Sequence, residues 1–144
     1  MNNHDQAAVV ELRMPCRPEF VGVARLMILG VAGRSSFSYD EIEDIRLAVG
    51  EACTAAVERA VKAEQTDTVL CITCRINDSQ LTIDVTDEVE REPATAPEDD
   101  QPVDGLDEES ISALLMELLV DEIRVEPTGP RGTRIHMSKH VGQA

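Results

Sequence analysis

Aromatic side chains are nearly missing from this chain: its 144 residues hold no Trp, one Tyr and two Phe. Stacking platforms for single-stranded nucleic acid are therefore lacking, and any core must be aliphatic. Basic residues are scarce as well, 13 against 28 acids, for a formal charge of -15. That balance repels phosphate backbones and argues against nucleic acid as a direct partner, whereas a basic protein surface would be attracted and its encounter accelerated. Long apolar runs are absent too. None approaches the ~20 residues needed to cross a bilayer, and no basic-apolar-small pattern at the N-terminus resembles a signal peptide. A cytoplasmic protein without a membrane partner is expected. Cysteine is limited to four residues. Cys71 and Cys74 have the CxxC form, but residues three apart on a strand point to opposite faces, which suits neither one metal nor one redox pair. With Cys53 on the core face of a helix, they read as packing cysteines of a reducing compartment.

What is present is best read from Phe37 to Ala63, FSYDEIEDIRLAVGEACTAAVERAVKA. Ser38 with Glu41 three residues later is a capping box, and Phe37 with Ile42 is its hydrophobic staple, so a helix starts here. Ile42, Ile45, Val49, Ala52, Cys53, Ala56 and Ala60 recur at three and four and define a core face. Asp44, Leu47, Ala48, Glu51, Ala55 and Glu58 fall on the opposite stripe. Glu51 stands there among small residues that let another group come close.

Around this helix the chain reads as one domain, 1–144, with its core from 7 to 141. Ala8 to Met14 alternates as a half-buried strand. Glu19 to Gly33 is a helix that is apolar nearly all round, so it is either packed on two sides or open to a partner. Arg25 within it favours the surface reading, because a guanidinium needs a carboxylate or water. Thr68 to Ile76 and Gln80 to Asp87 form a hairpin across Asn77-Asp78-Ser79. Residues 88–109 then hold ten acids, one Arg and three Pro, the composition of a mobile acidic loop. Ile111 to Val120 is a short helix, and Glu122 to Glu126 and Thr133 to Lys139 are final strands joined by a Pro/Gly-rich turn. His136 and His140, four apart on a strand, do not make a metal clip. Helices do not alternate regularly with strands, so the expected fold is an α/β two-layer sandwich: a mixed, largely antiparallel sheet with helices on one face.

The segment YDEIEDIRLAVGEACTAAV, with Pro-Glu-Phe-Val-Gly upstream, Asp87 at a strand end, ALLMELLVDEIRV and the closing RGTRIHMSK, resembles the anti-sigma-factor serine kinases of RsbW type. These belong to the GHKL ATPase superfamily, the Bergerat fold, and the resemblance spans about Glu11 to Val141. It implies ATP with magnesium as cofactors. It also implies a sigma factor and an anti-sigma factor antagonist as partners, and a homodimer. Glu51 matches the family's general base. Ala55 stands where the family has the asparagine that binds magnesium, and it has no oxygen for a metal. Asp87 matches the aspartate that bonds the adenine amino group, but Val89 replaces the glycine two residues on. The glycine-rich lid corresponds to Leu106 to Ile111, where Asp107, Glu108 and Glu109 follow a single Gly105. Thr133 after Gly132 matches a threonine of the nucleotide site.

The reading that follows is an anti-sigma-factor-like regulator that binds a sigma factor or an antagonist in a partner-switching system, with nucleotide binding weak or lost. Arg25, Asp107 and Glu108 are its candidate partner contacts. The alternative is an active ATP-dependent serine/threonine protein kinase that phosphorylates the antagonist. A redox or small-molecule sensor is a third class.

Overall fold

The computed structural model describes residues 8–65, 67–89, 108–128 and 132–142. The element order is strand β1 (Ala8–Pro15), a 3-10 turn (Pro18–Phe20), helices α1 (Val21–Ala32) and α2 (Tyr39–Lys62), strands β2 (Thr68–Ile76) and β3 (Gln80–Val89), helix α3 (Glu108–Leu119), and strands β4 (Glu122–Pro127) and β5 (Thr133–His140). The strands form one sheet in the order β1-β2-β3-β5-β4, and all four pairings are antiparallel. The result is a two-layer α/β sandwich, with α1, α2 and α3 on one face.

Local chemistry sets the boundaries of α2. The Ser38 hydroxyl accepts from the Glu41 N–H at 3.1 Å, and the Glu41 carboxylate accepts from the Ser38 N–H at 2.8 Å. Two donors of the first turn are thereby satisfied. Phe37 is buried beneath them, as a staple requires. In the β2–β3 connection the Asn77 side-chain oxygen accepts from the N–H groups of Ser79 and Gln80. This side chain takes the place of backbone partners in a short turn.

The register aligns the apolar letters into rows beneath the helices. Met14 faces Leu70, Leu12 faces Ile72, Cys74 faces Ile83, and Val85 faces Ile135. Ile45, Val49, Ala52 and Cys53 of α2 close onto these rows with Ile28 of α1 and Met116 of α3. The open sheet face is polar and charge-paired. Asp84 accepts from His136 at 2.8 Å and lies 3.5 Å from Arg75, while Arg13 meets Glu88 and Arg134 meets Glu126. His136 and His140 have separate carboxylate partners, Asp84 and Asp121, in keeping with their reading as strand residues rather than a metal pair.

Three readings are refined. Helix α1 is packed on one side only: Val21, Ala24, Ile28 and Val31 are buried, whereas Val23, Leu26 and Arg25 face outward. β1 alternates as expected, yet Val10 near its start is exposed while Met14 is buried. β3 and α3 extend into the stretch read as the acidic loop, to Val89 and from Glu108. The rest of that stretch, including Gly105 and Asp107, lies outside the described residues, as do the side chains of Val89, Glu108 and Glu109. The four cysteines are free; Cys74 is buried under the helices, and Cys71 is half-buried on the opposite face.

Candidate functional site

The outer stripe of α2 is only partly open to solvent, at Leu47 and Glu58. α3 lies across it, so Ala48 and Ala55 are buried and the Ser112 hydroxyl donates to Glu51 Oε2 at 3.3 Å. The group that the small residues admit next to Glu51 is therefore a hydroxyl of the chain itself. Below this contact, a cavity of about 240 Å3 opens between α2, α3 and the β4–β5 end of the sheet. Ala55, Arg59, Ser112, Met116, Val125 and Thr133 are among the residues that line it.

At the sheet end of this cavity sits Asp87, a carboxylate only 5% exposed. Its Oδ1 accepts from the Thr133 backbone N–H at 2.9 Å and from the Arg59 guanidinium at 3.4 Å. Charge-assisted bonds of this kind offset the cost of burying a carboxylate. Gly132 beside it is tight against the same strand: a Cβ at that position would lie 3.1 Å from the Asp87 carbonyl oxygen. The Cys16 thiol lies near the pair. Burial pushes it up to about 11, the Asp87 carboxylate pushes in the same direction, and Arg59 opposes them.

Of the residues named from the sequence, Ala55 and Thr133 line this cavity, while Asp87 is bonded to its lining residues Arg59 and Thr133 and Glu51 to its lining residue Ser112. Arg59 and Ser112 belong with them and were not singled out from the sequence. The signal for Arg59 was available. Glu51, Ala55 and Arg59 are spaced four and four, so one helical stripe carries an acid, a methyl group and a cation in turn. Arg25 sits elsewhere, on the α1 side of α2. Its Nε would lie 2.6 Å from a Cβ placed on Gly50, and its charge reaches the Cys53 thiol. No carboxylate among the described residues pairs with it. Nor do the described residues hold a group of three or more His, Cys, Asp or Glu arranged to bind a metal ion.

Comparison with known proteins gives this arrangement its class. Residues 14–139 match the family described as "Histidine kinase-like ATPase domain". The chain is 35% identical to the "Serine-protein kinase RsbW" of Bacillus subtilis (strain 168), covering 95% of this chain and 88% of that one. It is 34% identical to the protein of the same description from Oceanobacillus iheyensis, covering 99% and 91%. Among solved structures, the RsbU and RsbW domains of Rv1364c from Mycobacterium tuberculosis align with a TM-score of 0.65 at 16% identity. That alignment covers 95% of this chain and a third of that one. The chain belongs to the histidine kinase-like ATPase domain family, in its RsbW-type branch.

Proposed function

We propose that the chain is an anti-sigma-factor-like regulator of a partner-switching system. It binds a sigma factor, an anti-sigma factor antagonist or both, with ATP and magnesium chemistry weak or lost. The observation that carries this reading is the Glu51–Ala55–Arg59 stripe of α2, of which Ala55 and Arg59 line the cavity. Its middle position has no oxygen to offer a magnesium ion, and the next turn supplies a cation instead. The residues present do not fit the metal. For adenine the fit is partial: Asp87 and Thr133 stand together at one end, but Asp87 already accepts from Arg59 and from the Thr133 N–H. The cavity of about 240 Å3 also falls below the ~300–1,000 Å3 of ordinary small-molecule sites. By sequence, Asp107, Glu108 and Glu109 would oppose a polyphosphate rather than cradle it.

Protein partners suit the surface better. Arg25 is a guanidinium with no ion pair among the described residues, next to the outward Val23, Leu26 and Leu29 of α1. This combination of a cation and apolar anchors is enriched at protein interfaces. Arg25 is the contact assigned to the partner, with Asp107 and Glu108 contributing acid. The same helix is assigned to a homodimer, which predicts twice the 15.8 kDa chain mass in light scattering. Transcription regulation in the cytoplasm follows from these partners.

The test is isothermal titration of ATP with magnesium into the full chain, beside ADP without metal, together with a phosphate-transfer assay on an antagonist. Absence of heat and of transfer is expected, and Ala55→Asn alone should not restore transfer, because the glycine-poor lid remains. Magnesium-dependent binding with transfer would instead establish the active serine/threonine kinase, with Glu51 as base. The sensor reading gains no support from the cysteines: burial pushes the thiols of Cys16, Cys53 and Cys74 up to about 11, 12 and 12, away from the reactive thiolate.

A further inference from the structure

Helix α3 has a second apolar face that the described residues leave exposed. Met116 and Val120 point into the core, whereas Ile111, Leu114, Leu115 and Leu118 point outward and are 52%, 61%, 44% and 81% exposed. Their spacing, i, i+3, i+4 and i+7, is that of a helix face made to be covered. Two contacts fix how α3 lies on α2. Ser112 reaches Glu51, and Lys139 bonds the Leu119 carbonyl at 3.0 Å while standing 3.8 Å from Asp44. The helices are therefore antiparallel, and Leu115 is level with Leu47, itself 53% exposed. Five large apolar side chains thus make one surface across two helices, and contiguous patches of this kind mark interaction sites.

The rim of this surface is acidic. Asp40, Asp44 and Glu51 share the Leu47 stripe of α2, Glu117 stands beside Leu114 on α3, and Asp121 follows the helix. The nearby cation, Lys139, is already engaged with Asp44 and the Leu119 carbonyl. We infer that the α2–α3 face is a docking surface for an amphipathic helix of another protein, with Leu-like residues on one stripe and Lys or Arg along its edges. A third helix lying along the α2–α3 groove buries the five side chains, and its basic edges meet the acidic rim. A second copy of this chain is a poorer occupant, because a self-complementary contact would press two acidic rims together. The face is separate from the Arg25 surface, so the inference does not depend on the partners assigned there.

The test uses the full chain and a fluorescent 18-residue peptide with Leu at helical spacing and Lys elsewhere. A peptide of the same Leu positions with Glu in place of Lys is the control. Anisotropy titration should show binding of the Leu/Lys peptide, and not of the control. The double variant L114E/L118E should weaken binding at least tenfold at unchanged melting temperature, and Leu47→Ser should weaken it severalfold. The sign is decisive, since two added acids strengthen any association driven by charge alone. Equal or tighter binding to L114E/L118E, no binding to the unaltered chain, or equal binding of the control would each overturn the inference. So would sedimentation showing a dimer that L114E/L118E dissociates, because the occupant would then be a second copy.

Discussion

Removing the Arg59 guanidinium should cost far more than the loss of a surface ion pair, because its partner is almost out of water. The Asp87 side chain is 6% exposed and that of Arg59 25%. In Arg59→Met most of the apolar stem remains, and Asp87 keeps the Thr133 N–H. Breaking a buried pair from one side costs ~3–5 kcal/mol, and the retained N–H bond places this case near the lower end. For a chain of this size ~3 kcal/mol corresponds to a fall of roughly 9 °C in melting temperature. Asp87→Asn in the same background removes the stranded charge yet keeps an oxygen for Thr133. The double variant should therefore recover more than ~1 kcal/mol relative to the sum of the single losses. Urea and thermal melts of the four proteins complete the cycle. If Arg59→Met costs under ~1 kcal/mol and the two changes simply add, Asp87 is solvated. The account of a carboxylate already satisfied by its own chain would then fail.

Gly50→Ala should separate stability from partner binding. Alanine ordinarily stabilises a helix interior by up to ~1 kcal/mol over glycine. The atoms that its methyl group displaces belong to the end of the flexible Arg25 side chain. A protein of equal or higher melting temperature whose sigma-factor or antagonist binding falls is expected; unchanged binding would remove Arg25 from the interface. Alkaline pH should destabilise the fold. Cys53 and Cys74 titrate near 9 when unfolded but at about 12 when folded. Between those values the unfolded state binds fewer protons, so stability is full below about pH 9 and declines above it. Cys53→Ala should flatten that decline in denaturant titrations between pH 8 and 10.5. An unaltered slope would mean that its thiol is not held protonated by burial.

Much of the fold was legible because the decisive signals are local. The box at Ser38 and Glu41, the Asn77 turn and the alternation of β2 and β3 each lie within a few residues, and each appears where the letters put it. What covers the second stripe of α2 was not legible, because the answer comes from residue 112, sixty-one positions away. Periodicity put small residues beside Glu51 that let another group come close. It had no means of choosing between a ligand and a helix of the same chain.

The resemblance speaks of positions and is silent about their neighbours. It put Glu51, Ala55, Asp87 and Thr133 at one site; Ala55 and Thr133 line the cavity, Asp87 accepts from the Thr133 N–H, and Glu51 accepts from Ser112. It carried no expectation for Arg59, which reads in sequence as an ordinary cation in the last turn of a helix, where it complements the dipole. Yet the helix ends beside the sheet, and there the guanidinium meets a carboxylate that the strand register holds opposite Thr133. One position, read alone, is an alanine at residue 55 where the resemblance expects an asparagine. The stripe read as a whole puts Ala55 and Arg59 one turn apart on a cavity wall, with the guanidinium 3.4 Å from the Asp87 carboxylate.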